Sequence, residues 1–253
     1  MKRILILIAI CGLLVMPAFA NNFTNGGFED NSFSGWVSGG GYWDGEAVTP
    51  SQYLPGGDHY DQSVFNDHSA VVGVGKDPIT GLSTVYSGQY AARINDYTPD
   101  SHVSVLSQTV QNYTDPSIFF AWAAVLEESH GVGESDYFSL TLVDETLGKT
   151  LYSVAYDSAN AQYAGLFHSV YYDGTGSTWY YTDWQIAQLD VSQFQGDTFT
   201  LTLLASDCPY GGHGGYTYLD GFGNAPPPTP EPASLLLTIS GLGLLAARMR
   251  RPK

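Results

Sequence analysis

From residue 21 to about residue 225 the chain alternates apolar and polar positions with a period of two and shows almost no helical period. Gln89 to Ile94 alternates faces, and so do Val103, Val105 and Ser107 against Leu106, Gln108 and Val110. Tyr137 to Val143 alternates cleanly, runs into Asp144-Glu145-Thr146-Leu147-Gly148-Lys149 and continues as Leu151 to Tyr156, which predicts a hairpin. Ile118 to Leu126 is apolar on both faces, as a strand in the middle of a sandwich must be. Thr198 to Leu204 and Tyr216 to Leu219 supply two further strands. Strands rich in Tyr, Phe, Val and Thr, punctuated by 29 glycines in the whole chain, predict an all-β, antiparallel sandwich in one domain. No repeat of propeller or solenoid length is visible. Two stretches, Ser38 to His68 and Ala159 to Trp184, are predicted to be long loops able to carry a binding surface.

The two ends do not share this pattern. Lys2 and Arg3, an apolar run from Ile4 to Val15, and Ala18-Phe19-Ala20 predict a signal peptide, residues 1–20, removed after Ala20. Cys11 leaves with it, so Cys208 is expected as a single thiol in an exported, disulfide-free domain, residues 21–225. Residues 226–232 are a stiff Pro-rich linker. Residues 233–247 carry no charge and no polar face, which predicts a short transmembrane helix, and the basic tail 248–253 fits a cytoplasmic end. Pro230-Glu231-Pro232, the short apolar helix and Arg248, Arg250 and Arg251 together resemble a PEP-CTERM sorting signal. That resemblance implies export through the inner membrane of a Gram-negative bacterium, an exosortase as processing partner, an association with exopolysaccharide and biofilm matrix, and a membrane anchor that is transient or permanent. It covers only residues 229–253.

Within the domain, "NGGFEDNSFSGW" (25–36), "SGQYAARIND", "SVLSQTV" and "TDWQIAQLDVSQFQGDTFTLTLLASDC" follow one another in the order of galactose-binding-like jelly rolls, the fold of many carbohydrate-binding modules, which they resemble. In that family a glutamate after the first-strand Phe and an aspartate on the last strand often flank a structural calcium. Carried over, these are Glu29 and Asp220; the Gly221-Phe222 that follows the aspartate departs from the family pattern, Asp44 and Asp207 are further acids that could contribute, and two solvated carboxylates are the alternative. Calcium takes six to eight oxygens, so two carboxylates need backbone carbonyls, water or another acid to complete the shell.

Charge narrows the partners. Only Lys76, Arg93 and Lys149 of the nine Lys and Arg fall inside the domain, against every one of the 25 acids except Glu231. Such a surface repels phosphate backbones and excludes nucleic acid. It suits divalent cations, and it equally serves solubility alone.

Candidate chemistry is sparse. Cys208, His213 and Asp220 have the residue types of a nucleophile, base and orienting acid, but without a protease signature; two ligands do not make a structural zinc site, which takes four. Glycines at 211, 212, 214 and 215 instead predict a tight turn with Cys208 buried in it. Glu127-Glu128-Ser129-His130-Gly131 reads as a loop after a buried strand rather than as a glycosidase pair. No catalytic residue and no organic cofactor are expected. Aromatic side chains are the better lead, because sugar-binding surfaces stack on Trp and Tyr. Trp43, Tyr172, Trp179 and Tyr181 are the expected platform, with Tyr60, Tyr171 and Tyr180 nearby in the same two loops. The chain is therefore expected to be an exported, non-catalytic surface or matrix protein that binds glycan or exopolysaccharide. A purely structural or adhesive matrix protein, and a glycan-processing enzyme for which no motif is present, are the alternatives.

Overall fold

The computed structural model describes residues 23–223, and the sorting motif, the apolar segment and the leader lie outside them. Among the described residues no helix is long and apolar enough to cross a membrane. Among the described residues, twelve strands form two antiparallel sheets. The five-stranded sheet has the order β1 (Val37–Tyr42), β4 (His102–Val110), β11 (Phe199–Ser206), β6 (Tyr137–Asp144), β7 (Lys149–Asp157). The seven-stranded sheet runs β2 (Ala70–Gly73), β3 (Tyr90–Ile94), β12 (Gly215–Asp220), β5 (Ser117–Glu127), β9 (Ser177–Thr182), β8 (Phe167–Tyr172). The remaining strand, β10 (Gln185–Asp190), shares the free edge of β5 with β9.

The period-two pattern places the core. Ile118, Phe120, Trp122, Ala124 and Leu126 of β5 face Phe138, Leu140 and Leu142 of β6 and Phe199, Leu201 and Leu203 of β11 between the sheets. Trp122 crosses the layer to donate to the Tyr152 hydroxyl on β7 at 2.8 Å, which satisfies its N–H inside the core. The other positions of β5, Ala123 and Val125, turn outward beneath Tyr216, Tyr218 and Trp179, so the doubly apolar stretch is the central strand its sequence predicts.

Both predicted loops contain regular structure. Ser38-Gly39-Gly40-Gly41 lies inside β1, because the segment carrying α1 (Pro50–Tyr53) and α2 (Gln62–His68) lies directly on that strand. A Cβ at Gly39 would come within 2.1 Å of the Tyr53 carbonyl oxygen, and one at Gly41 within 2.1 Å of that of His59. The second stretch opens with α3 (Ser158–Ala161) and continues as the hairpin β8–β9. Conversely, Asn25 to Trp36, read by resemblance as the opening strand, forms turns with positive φ at Asn25, Phe28 and Asn31. It is anchored by Phe28, which stacks on Trp36 with ring centroids 5.2 Å apart, and by the Phe222 N–H donating to the Gly26 carbonyl at 2.9 Å.

Candidate functional site

Glu29 and Asp220 meet across the end of β12. Glu29 accepts the backbone N–H groups of Gln89 at 3.0 Å and Tyr90 at 3.2 Å. Asp220 accepts those of Tyr86 at 3.0 Å and Ser87 at 2.8 Å through Oδ2. Its other oxygen, Oδ1, is buried without a partner. Gly27 sits against both side chains: a Cβ there would lie 3.8 Å from Asp220 Oδ1 and 3.8 Å from Glu29 Cγ. Burial pushes the Asp220 carboxyl up to about 7 against the pull of its two N–H donors, and the charge of Glu29 adds to the rise.

Asp207 and Asp44 do not join this pair. Asp207 belongs to the opposite end of β12, where it accepts from Asn95 Nδ2 at 2.9 Å and lies 3.1 Å from His102 Nδ1. Gly215, whose carbonyl shares that Asn95 group, is five residues from Asp220 along an extended strand, about 16 Å. Asp44 is exposed, accepts from the Glu46 N–H at 3.1 Å and faces His59.

The four platform aromatics separate into different environments. Trp179 is 0% exposed: it packs with Tyr216 and Tyr218 on the outer face of the seven-stranded sheet, with Ile79 and Leu82 of the 74–89 loop in the same cluster, and donates to Thr175 Oγ1 at 2.9 Å. It cannot offer a ring face to a ligand. The loop is held there by buried Asp77, whose Oδ2 accepts both the Tyr216 and Tyr218 hydroxyls at 2.7 and 2.8 Å. Tyr172 and Tyr181 are half-buried at the border of the same cluster. Tyr171 and Tyr60 are exposed, whereas Tyr180 turns into the core between the sheets.

Trp43 is 7% exposed and packs outside the five-stranded sheet against Tyr53, Val103, Val105 and Leu204. Its remaining surface lines a mainly apolar cleft of about 310 Å³ together with Val48, Tyr137, Glu46, Ser135 and Asp157. The Trp43 indole N–H donates to the Glu46 carbonyl at 2.6 Å, fixing the ring as one wall. Asp157 caps α3 through Asn160 at 2.7 Å and accepts the Gly133 N–H at 3.1 Å. Tyr137, Glu46 and Asp157 were not legible as site residues, because the cleft joins segments about a hundred residues apart.

The Cys208 loop is a turn: the Cys208 N–H donates to the His213 carbonyl at 3.1 Å, Gly211 has φ +71°, and Cys208 is fully buried. Asp220, at the far end of β12, is no part of it. Glu127 is consumed structurally, accepting the Gly214 N–H at 2.9 Å through one oxygen and the Ser177 hydroxyl through the other.

No protein-family model matches the chain, and no curated protein matches it. The solved structures it is similar to include carbohydrate-binding modules with β-sandwich folds. One is TmCBM61 in complex with β-1,4-galactotriose, at 16% identity over 80% of this chain and 96% of that one, with a TM-score of 0.41. Another is CBM28, a module specific for non-crystalline cellulose, at 11% identity over 77% and 89% of the two chains, with a TM-score of 0.35. A third is the family 22 module of Clostridium thermocellum Xyn10B, at 12% identity over 81% and 94%, with a TM-score of 0.31. Likeness at this level leaves the site to be argued from its own geometry.

Proposed function

We propose that this chain is an exported, non-catalytic protein whose sandwich binds glycan in the cleft beside Trp43. The observation that carries the reading is the cleft itself, in which a fixed indole and a tyrosine meet the Glu46 carboxylate. A pyranose ring offers C–H faces that pack on aromatic rings and hydroxyls that donate to carboxylates, and such pairing of apolar wall and few polar groups is how concave sites bind small polar ligands. The domain's acidity disfavours polyanionic polysaccharide, so a neutral or amino-bearing glycan fits best. Binding is favoured over catalysis because Glu127, Asp157 and Asp207 are each engaged by backbone N–H groups.

The reading extends to one structural calcium ion held by Glu29 and Asp220. The orphaned Asp220 Oδ1, the carboxylate beside it and the space left by Gly27 fit a hard cation. Sorting to the cell surface or matrix, with an exosortase and the membrane as partners, rests on the residues of the two termini.

Co-sedimentation of the protein with neutral, amino-bearing and acidic polysaccharides tests the cleft. Wild type should bind the first or second class, and Glu46→Gln and Tyr137→Ala should each weaken binding by about tenfold, roughly 1.4 kcal/mol, with unchanged circular dichroism. Folded protein that binds none of them favours a purely structural matrix role. Binding that survives both substitutions but fails in Tyr172→Ala/Tyr181→Ala moves the site to the seven-stranded sheet.

A further inference from the structure

We propose that His130, Cys208 and His213 form a binding site for a borderline-soft divalent ion, Zn2+, distinct from the glycan cleft and from the Glu29–Asp220 pair. His130 lies in the turn between β5 and β6, and Cys208 and His213 in the turn between β11 and β12. In sequence 78 positions separate the first from the second, yet one ligand atom of each of the three lies within 4.8 Å of the others.

The two turns are held together before any ion arrives. The Glu127 N–H donates to the Gly214 carbonyl at 3.1 Å, and the Glu127 carboxylate accepts the Gly214 N–H at 2.9 Å. The Cys208–His213 turn is closed by its own backbone hydrogen bond at 3.1 Å. The Cys208 Sγ and His213 Nδ1 atoms are thereby set 3.6 Å apart. A tetrahedral ion with bonds of about 2.3 Å to sulfur and about 2.0–2.1 Å to nitrogen requires those two ligands to be about 3.6 Å apart. That edge of the tetrahedron is already built.

The third ligand needs only a small adjustment. His130 is exposed, and its ring stands edge-on to His213 at 5.0 Å and to Tyr210 at 4.8 Å. A rotation of this side chain brings its nitrogen onto the ion, while the thiol gives up its proton to solvent on coordination. One thiolate and two imidazoles are a donor set for Zn2+ rather than Ca2+, which takes oxygen. The chain supplies three of the four tetrahedral ligands, and water would complete the shell. Bound there, the ion cross-links two turns in a domain whose single cysteine can form no internal disulfide.

The test is titration of the metal-free full chain with Co2+, read by absorbance, followed by displacement with Zn2+. One equivalent of Co2+ should give a thiolate-to-cobalt charge-transfer band that Zn2+ removes and excess Ca2+ does not. Cys208→Ser should abolish the band. His130→Ala, at an exposed position, should leave the circular dichroism unchanged and weaken Co2+ binding by at least about tenfold, since even changes to residues behind the ligands cost that much. Absence of a charge-transfer band from the folded wild type overturns the site and leaves a thiol–imidazole contact. Undiminished binding in His130→Ala overturns the three-ligand assignment. Ions that bind without the band sit on surface carboxylates and also count against it.

Discussion

Asp136 shows what a single residue costs this fold. It is wholly buried, accepts the Ser158 hydroxyl at 2.8 Å through Oδ1, and leaves Oδ2 without a partner. Burial pushes its carboxyl well above the usual carboxylate range against that hydrogen bond, and the charge of Glu127 adds to the rise. The folded state thus keeps a proton that the unfolded chain releases near pH 4. Where the folded state binds more protons, stability falls as pH rises, by up to about 1.4 kcal/mol per pH unit for one group. The contribution is present below the unfolded pKa and is lost as pH climbs toward the folded one. Asp136→Asn copies the shape of the protonated acid and removes this slope. Its melting temperature should fall less than that of wild type between pH 5 and 8, and parallel curves would show that Asp136 is not the proton acceptor. Other carboxyls, Asp207 among them, also rise on burial, which is why the difference between variant and wild type is the quantity to read.

At the scale of elements, the glycine-rich β1 tests how helices and loops are seated on the five-stranded sheet. Gly39→Ala puts a methyl 2.1 Å from the Tyr53 carbonyl oxygen and 3.1 Å from Leu54 Cα, backbone that cannot rotate away. It should lower the urea midpoint with a loss of about 1–3 kcal/mol, whereas Gly165→Ala, with open space around it, should stay within about 0.5 kcal/mol. Equal effects would mean that β1 carries no such contact. The same element marks the limit of sequence reading. Strands β3, β4, β6, β7, β11 and β12 were legible from the period-two pattern that core burial of one face leaves, and β5 from its apolar residues on both faces. In β1 the partner is a backbone segment, so the strand records its packing as absent side chains and reads as a loop. The hairpin β8–β9 was hidden inside a tyrosine-rich stretch, although the β-branched and aromatic run Ser177 to Thr182 carried a strand signal. Trp179 looked available because its cover, the 74–89 loop held by Asp77, is about a hundred residues away in sequence. His130 was missed beside Cys208 for the same reason. The approach of Glu29 to Asp220 was legible, because it came with a resemblance that carries long-range pairing, which local periodicity does not.

For the whole molecule, the question is what closes the sandwich at the end where the chain enters and β12 finishes. Turns 26–29 pack on Phe222, the 86–90 segment lends its N–H groups to Glu29 and Asp220, and neither connection is a strand pairing. Three segments therefore converge on two carboxylates, one of which has an unused buried oxygen. A cation between them would replace mutual repulsion with attraction and join all three segments, an effect felt by the entire fold because the ion binds only the folded state. At a hundredfold excess over its dissociation constant Ca2+ contributes about 2.7 kcal/mol, and for a domain of this size each kcal/mol moves the melting temperature by about 2–4 °C. Calcium should accordingly raise the transition by about 5–11 °C, and EDTA should reverse it. Asp220→Asn, which lacks the charge but keeps an oxygen for the Tyr86 and Ser87 N–H groups, should fold and lose that response, as should Glu29→Gln. Superimposable melting curves in Ca2+ and EDTA for the wild type would remove the ion from this end. Its closure would then rest on the N–H groups given to Glu29 and Asp220, the Phe28–Trp36 stack and the Gly26–Phe222 hydrogen bond.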